Sequence, residues 1–320
     1  MRSEQLHCND LKAVKMEKIM VKTPATSANL GAGFDICGIA LERPFDEMAV
    51  SISEKDSIKS TGQYAVPERI DENSCGPVIR RMKEDFGIKY GLEIVINKRI
   101  KPGGGLGSSA ASAAGIAYSI NKLFDLELSK EQLVNYAALG EKISAGVPHL
   151  DNVAPCIFGG FTIVFGKDPL KVKNVKVAGA MEAVIILPEK GKTSTKAARD
   201  VLPERISRAS SQHNLRSLSS LICSMLDDDI ENLTKAMDDQ IVEPARAKAG
   251  ILPHFYEIKK ICQKFGYGVA ASGAGPAILA LGRKTNKGKK AMISEIENVF
   301  KEKHEVITSG ISNDGVKLSS

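Results

Sequence analysis

Along the chain, apolar and polar positions alternate in two different rhythms. KIMVKTPAT opens as a short strand and runs into a proline-marked loop. SANLGAGFD follows with two glycines and turn-prone residues. MAVSISEKDSIKSTG and LEIVINKRI (92–100) alternate apolar with polar and read as strands. Asp71 to Phe86 instead carries Val78, Ile79 and Met82 at helical spacing. After a glycine-rich stretch at 103–107, Ser108 to Phe124 repeats small or apolar residues at 110, 113, 114, 117, 120 and 124, a helical period. The early part of that helix is nearly all Ala, Ser and Gly, so it can sit very close to neighbouring backbone. A further helix starts at Ser129, which makes a capping box with Gln132, and runs to about Ile143. CIFGGFTIVFG (156–166) reads as a hairpin with Gly-Gly at its turn.

Lys167 to Gly179 is charged and poor in apolar residues, which places a boundary between an N-terminal domain, 17–172, and a C-terminal domain, 173–320. The second half opens on the strand EAVIILPE (182–189). A polar loop and helices at about 195–201, 207–226 and 230–240 follow. ILPHFYEIKKICQKFG (251–266) is a buried helix, VAASGAGPAILALG (269–282) a strand, glycine turn and strand, and 287–303 a helix before a last strand, VITSGIS. That order suits an α+β fold with an open sheet and helices on one face. With 320 residues, two domains are the expectation.

Composition narrows the chemistry. Aromatic residues make up 5% and Trp is absent, so stacking platforms for single-stranded nucleic acid are poorly supplied. The net charge of +6 comes from interspersed Lys and Glu, with a modest bias toward anionic ligands and no nucleic-acid face. Six cysteines at 8, 37, 75, 156, 223 and 262 form no CxxC pair, which argues for reduced, buried thiols in a cytoplasmic protein. No apolar run is long enough for a membrane helix. The polar N-terminus, MRSEQLHCNDLKAVK, reads as an extension, or translation starts at Met16 or Met20.

The segment KPGGGLGSSAASAAG (101–115) feeds a strand through glycines into a helix. Gly103, Gly104, Gly105 and Gly107 let backbone approach an anion without side-chain clashes. The helix start points free N–H groups and the positive end of its dipole at that anion. Ser108 and Ser109 add hydroxyls. No lysine precedes a hydroxyl residue as a Walker loop requires, and no convincing acidic residue follows as in dinucleotide folds. Alone, the segment fits either a phosphate cradle or a tight turn before an Ala-rich helix.

Three segments together resemble a family. PGGGLGSSAA is similar to the central motif of the GHMP small-molecule kinases. TPATSANLGAGFDICGIAL resembles their first motif in its homoserine kinase form, and ASGAGPAILAL resembles the third. GEKISAGVPHLDNVAPCIFGGF (140–161) is similar to the homoserine kinase pattern, with Leu150 where Ala is usual. The resemblance covers about 20–315. It implies the GHMP kinase fold: an N-terminal half like domain 2 of ribosomal protein S5 with a left-handed βαβ unit, a ferredoxin-like C-terminal half, and a site between them. It also implies ATP and Mg²⁺ as cofactors, homoserine as acceptor, and a homodimer. Mevalonate, a mevalonate phosphate or shikimate is the alternative acceptor.

By the same resemblance, Pro102, Gly103, Gly104, Gly105, Leu106, Gly107, Ser108, Ser109, Ala110 and Ala111 bind ATP, and Ser109 with Glu141 holds the metal. Asn29, Asp35, His149, Asp151, Thr195, Arg199 and Arg246 match substrate positions. Arginine suits a carboxylate because its planar fork pairs bidentately. If its segment is helical, Thr195 shares a face with Arg199. Asp35, Asn29 and Asn152 are the catalytic candidates, with Asp35 orienting the hydroxyl. Family members with a catalytic Asp place it where Asn152 stands, so transfer without a dedicated strong base is expected. Asn73 and its neighbours in 56–74 are adenine candidates.

Overall fold

A computed structural model describes residues 16–145, 149–189, 195–284 and 288–319. The N-terminal extension, residues 146–148 of the histidine-containing segment, and residues 190–194 of the polar loop lie outside the described residues.

The chain begins with two long antiparallel strands, β1 (Lys18–Asn29) and β2 (Gly33–Ser53). The expected loop at Pro24 is instead a register shift at Pro24/Ala25, and pairing resumes beyond it. Proline's missing N–H is tolerated at such an irregularity, so one strand spans what alternation alone breaks in two. A parallel βαβ unit follows: β3 (Ser57–Gly62), α1 (Cys75–Phe86) and β4 (Gly91–Lys98). Next come α2 (Ser108–Leu123), α3 (Lys130–Ala145), α4 (Leu150–Phe158), β5 (Phe161–Lys167) and β6 (Leu170–Val175). The α3 capping box is present: Ser129 N–H donates to Gln132 Oε1 at 2.8 Å, and Gln132 N–H to Ser129 Oγ at 3.2 Å.

The hairpin expected over 156–166 is corrected. Cys156 to Phe158 close α4, Gly159 and Gly160 (φ +77° and +61°) turn the chain, and only then does β5 begin. The apolar run VAPCI packs as a buried helix against β2, so close that a Cβ on Gly38 would stand 1.8 Å from the Asp151 carbonyl oxygen. A short apolar run bears no periodicity that separates buried helix from strand. The hairpin of this region is β5 with β6.

The second half holds β7 (Met181–Pro188), α5 (Thr195–Asp200), α6 (Arg208–Leu226), α7 (Ile230–Ala236), α8 (Val242–Lys248) and α9 (Phe255–Lys264). It ends in β8 (Gly268–Ala271), β9 (Ile278–Arg283), α10 (Lys289–Val299), β10 (His304–Ser309) and β11 (Lys317–Leu318). The first sheet runs β11-β1-β2-β4-β3 with β5 and β6 branching from β2; the second is antiparallel, β10-β7-β9-β8. The second sheet's order is that of a ferredoxin-like half. The expected boundary at 172/173 falls inside β6, and β11 returns to the first sheet.

Two hydrophobic cores form. The larger spans the first sheet, α1 to α4, α6, α7 and one face of β7 and β9; the smaller lies between the second sheet and α9 and α10. Helix α2 is buried along most of its length, as its small residues require; a Cβ on Gly115 would already touch Thr23 and Met48 of the sheet. Of the described cysteines, Cys37, Cys75, Cys156 and Cys262 are buried and unpaired, while Cys223 is exposed, against the sequence expectation for that thiol. No described helix is long and apolar enough to cross a membrane.

Candidate active site

A cavity of about 380 Å³ opens between the sheets. Its walls come from the β1–β2 turn, the glycine loop, α3, α4, α5, α8 and the β8–β9 turn.

The glycine loop is pinned from both sides. Thr26 N–H donates to Leu106 O (3.1 Å) from β1, Ala277 N–H to Gly104 O (3.1 Å), and Ser272 Oγ to Gly105 O (2.8 Å). Gly105 and Gly107 have φ of +86° and +64°, and a Cβ at Gly107 would meet Thr26 Oγ1 at 2.0 Å. These two positions demand glycine. Gly107 caps α2, whose first turn faces the cavity through Ser108 and Ser109. A helix start leaves its first N–H groups without intrahelical acceptors, which makes a ready anion site. Beneath it, fully buried Lys98 donates to Asp46 (2.6 Å), Ser108 O (2.6 Å) and Ser112 Oγ (2.9 Å), while Asp46 also accepts from the Arg99 and Ile100 N–H groups. A buried pair with its remaining hydrogen bonds satisfied rigidifies what it touches, here the strand end and first turn that frame the loop.

Gly103, Gly105, Gly107, Ser108 and Ser109 line the cavity. Gly104, Leu106, Ala110 and Ala111 do not: Leu106 and both alanines are core residues, and Gly104 backs onto Leu187. The Ser108 hydroxyl donates to Ile100 O at 3.0 Å. Pro102 lines an adjoining cavity of about 200 Å³ with Val66, Pro67 and Asn73; Gly103, Ser108 and Ser109 border both. The Asn73 side chain donates to Pro67 O and accepts from Cys75 N–H, fixing the start of α1.

Opposite the loop stand the charged groups. Arg199 Nη2 donates to Asp35 Oδ1 at 2.6 Å, and its Nε points at His149 Nε2 at 3.4 Å. His149 Nδ1 lies 3.5 Å from Glu141 Oε2, so arginine, imidazole and carboxylate form a chain across the cavity. Arg246, 2% exposed, donates to Gly273 O (2.7 Å) and Ala198 O (3.2 Å). Burial, and then the Arg199 charge, pull its pKa below the usual arginine range. Its helix is held from behind: Glu243 accepts from Ala271 N–H at 2.9 Å, its carboxyl pushed up to about 8 by burial and partly offset by Lys259.

Asn29 and Asp35 sit in left-handed backbone (φ +80° and +59°) on the β1–β2 turn, where Asn29 Oδ1 accepts from Asp35 N–H at 3.3 Å and Nδ2 donates to Gly273 O at 2.8 Å. Asp151 is 2% exposed, and its Oδ1 has no hydrogen-bond partner among the described residues. Burial, followed by the Asp35 charge, raises its pKa to about 7. Asn152 Oδ1 accepts from Thr26 Oγ1 at 3.0 Å. Thr195 opens α5 and lines the same wall as Arg199. Sequence reading passed over Phe34, whose ring lies in this wall, and Glu243; an aromatic in a glycine-rich turn and a glutamate on a short helix carry no pattern of their own.

Two family models match the chain: the GHMP kinases N terminal domain over residues 73–160 and the GHMP kinases C terminal over 219–301. A homoserine kinase from Methanococcus maripaludis is 44% identical over 291 residues, covering 90% of this chain and 93% of that protein. This chain belongs to the homoserine kinase family of the GHMP kinases. A homoserine kinase from Thermoplasma volcanium is 37% identical, covering 88% of this chain and 90% of that one. The crystal structure of homoserine kinase from Cytophaga hutchinsonii superposes with a TM-score of 0.86 at 33% identity, covering 96% and 99% of the two chains. The fold is therefore the GHMP kinase fold, and the cavity lies between its two halves, against the glycine loop of the central motif.

Proposed function

We propose that this cavity transfers the γ-phosphoryl group of ATP to the side-chain hydroxyl of L-homoserine. The observation that carries the reading is the convergence of Arg199, Arg246, Asp35 and Asp151 on one cavity, shared with a glycine loop that opens a helix. A zwitterionic amino alcohol needs that set: guanidinium forks for its carboxylate, carboxylates for its ammonium, and an anion cradle for the phosphates it meets.

Positioning and electrostatic relief do most of the work in phosphoryl transfer. The α2 N-terminus and the loop N–H groups hold the triphosphate, and the adjoining cavity beside Pro67, Asn73 and Pro102 takes the nucleoside. Arg246 and Arg199 hold the acceptor's carboxylate, and Asp151 its ammonium, which gives its Oδ1 the partner missing among the described residues. Asp35, steadied by Arg199 and Asn29, orients the hydroxyl. Asn152, committed to Thr26, offers no carboxylate to take the proton. The proton therefore leaves late, to phosphate or solvent.

Glu141 and Ser109 border the phosphate end of the cavity and supply oxygen donors, the hard ligands Mg²⁺ prefers when phosphates and water complete its shell. When bound there, Mg²⁺ neutralises charge on the phosphate oxygens. A cytoplasmic homodimer also belongs to this reading, supported by the family resemblance.

ATP consumption measured with homoserine, mevalonate and shikimate in turn tests the proposal. Homoserine is the acceptor turned over, and Arg246→Ala abolishes its use. Preferential turnover of mevalonate would overturn the reading.

A further inference from the structure

The two arginines of the clamp share a feature that neither sequence nor family assignment supplies: one aromatic ring within reach of both. Arg199 Cζ lies 5.3 Å and Arg246 Cζ 5.5 Å from the centroid of Phe34. Phe34 is half-buried, lines the cavity, and belongs to neither hydrophobic core. Among the described residues, neither core accounts for its ring.

The turn that carries it is over-determined. Asn29, Leu30 and Asp35 all hold positive φ, and a Cβ at Gly33 would stand 2.5 Å from Asn29 O and 2.7 Å from Cys37 Cβ. Backbone held this way costs free energy and persists where function uses it. Asn29 ties the turn to Gly273 O, the carbonyl that also accepts from Arg246. The segment carrying the ring is thus held to Arg246 through Gly273 O and to Arg199 through the Asp35 carboxylate. Two like charges brought to one cavity repel. The negative face of an aromatic ring offsets part of that repulsion and fixes where each planar fork lies.

We infer that Phe34 is a positioning residue, its ring presetting Arg199 and Arg246 as a two-fork clamp for the carboxylate of the acceptor. This rests on the reading of those arginines given above. The clamp selects for a carboxylate next to the amino carbon, and it bears on the hydroxyl only indirectly, through the Arg199 contact with Asp35.

Steady-state kinetics of Phe34→Leu and Phe34→Tyr with homoserine and with 3-aminopropan-1-ol, the same amino alcohol without its carboxylate, test it. Phe34→Leu keeps an apolar side chain but removes the π face. It raises the KM for homoserine about tenfold, the scale of a desolvated cation–π contact. The KM for ATP stays at its wild-type value, and the kcat/KM for 3-aminopropan-1-ol falls far less than that for homoserine. Phe34→Tyr restores the homoserine KM. An unchanged homoserine KM in Phe34→Leu, or an equal loss with both acceptors, would overturn the inference while leaving the clamp standing. A wild-type enzyme that uses both acceptors equally would overturn the clamp itself, and this inference with it.

Discussion

Asp151 shows what a buried carboxylate facing the cavity costs. It is buried, its Oδ1 has no hydrogen-bond partner among the described residues, and its pKa is raised to about 7 by burial and by Asp35. The folded protein thus keeps a proton on this carboxyl that the unfolded chain has released, between the ordinary carboxylate range and about 7. Stability therefore falls as pH rises through that window, and the cost is fully present above it. Asp151→Asn removes the cost, so it raises the melting temperature more at about pH 8 than at about pH 5, while losing affinity for the acceptor. Thermal melts followed by circular dichroism at the two pH values check this; an equal gain at both would refute the ionisation argument. Such a residue was legible in the sequence because it stands inside HLDN, a string whose types and spacing carry chemistry. Phe34 was not, because its partners, Arg199 and Arg246, lie far away in sequence and reach it only through the fold. Likewise the hydroxyls of Ser108 and Ser109 look equivalent in sequence, yet Ser108 donates to Ile100 O.

At the scale of elements, the glycine loop separates glycines that need to be glycine from one that does not. Gly105 has φ +86°, and a Cβ there would stand 2.4 Å from the backbone oxygen of Ser272. Gly104 is absent from the positive-φ glycines, and its Cβ would meet Leu187 Cδ1 at 3.1 Å and Lys101 O at 3.2 Å, the first a side-chain end that can shift. Gly105→Ala costs about 2 kcal/mol or more, since a left-handed residue bears strain and the neighbouring backbone must also give way. Gly104→Ala costs less than about 1 kcal/mol, in the range of substitutions that break no special feature. Urea unfolding of the two variants measures both, and a larger loss at Gly104 would contradict the geometry. The loop and the helices around it were legible because glycine runs, capping boxes and helical spacing are local signals; the α3 box is there atom for atom. The end of α4 was not, because Cys156 and Ile157 are buried by tertiary contacts that no local pattern announces.

For the whole molecule, the site is also the seam. Ala277 N–H and Ser272 Oγ reach the glycine loop, Gly273 N–H donates to Ala28 O at 3.2 Å, and Asn29 and Arg246 both donate to Gly273 O. A second seam lies at the far end: Glu42 N–H donates to Gly310 O, Arg43 N–H to Ser309 Oγ, and Ser312 N–H to Ala40 O, each at 2.9 Å. Strand β11 then pairs with β1, so the last residues of the chain belong to the first sheet. That closure was illegible, since two residues of strand have no rhythm, and it explains why a charged connector at 167–179 suggested a cleaner division than the backbone has. One core also reaches across, with Leu187, Leu279 and Leu281 of the second sheet packed among residues of the first. Halves joined at both ends and by a shared core unfold together. Denaturant unfolding is therefore one transition, with coincident midpoints by far-ultraviolet circular dichroism and by loss of ATP binding. Ser272→Ala leaves the Gly105 carbonyl without its hydroxyl donor and lowers the stability by about 1–3 kcal/mol, yet the transition stays single. Two separated transitions, in the wild type or in this variant, would show that the sheets are independent and that the seam holds the active site together without holding the protein together.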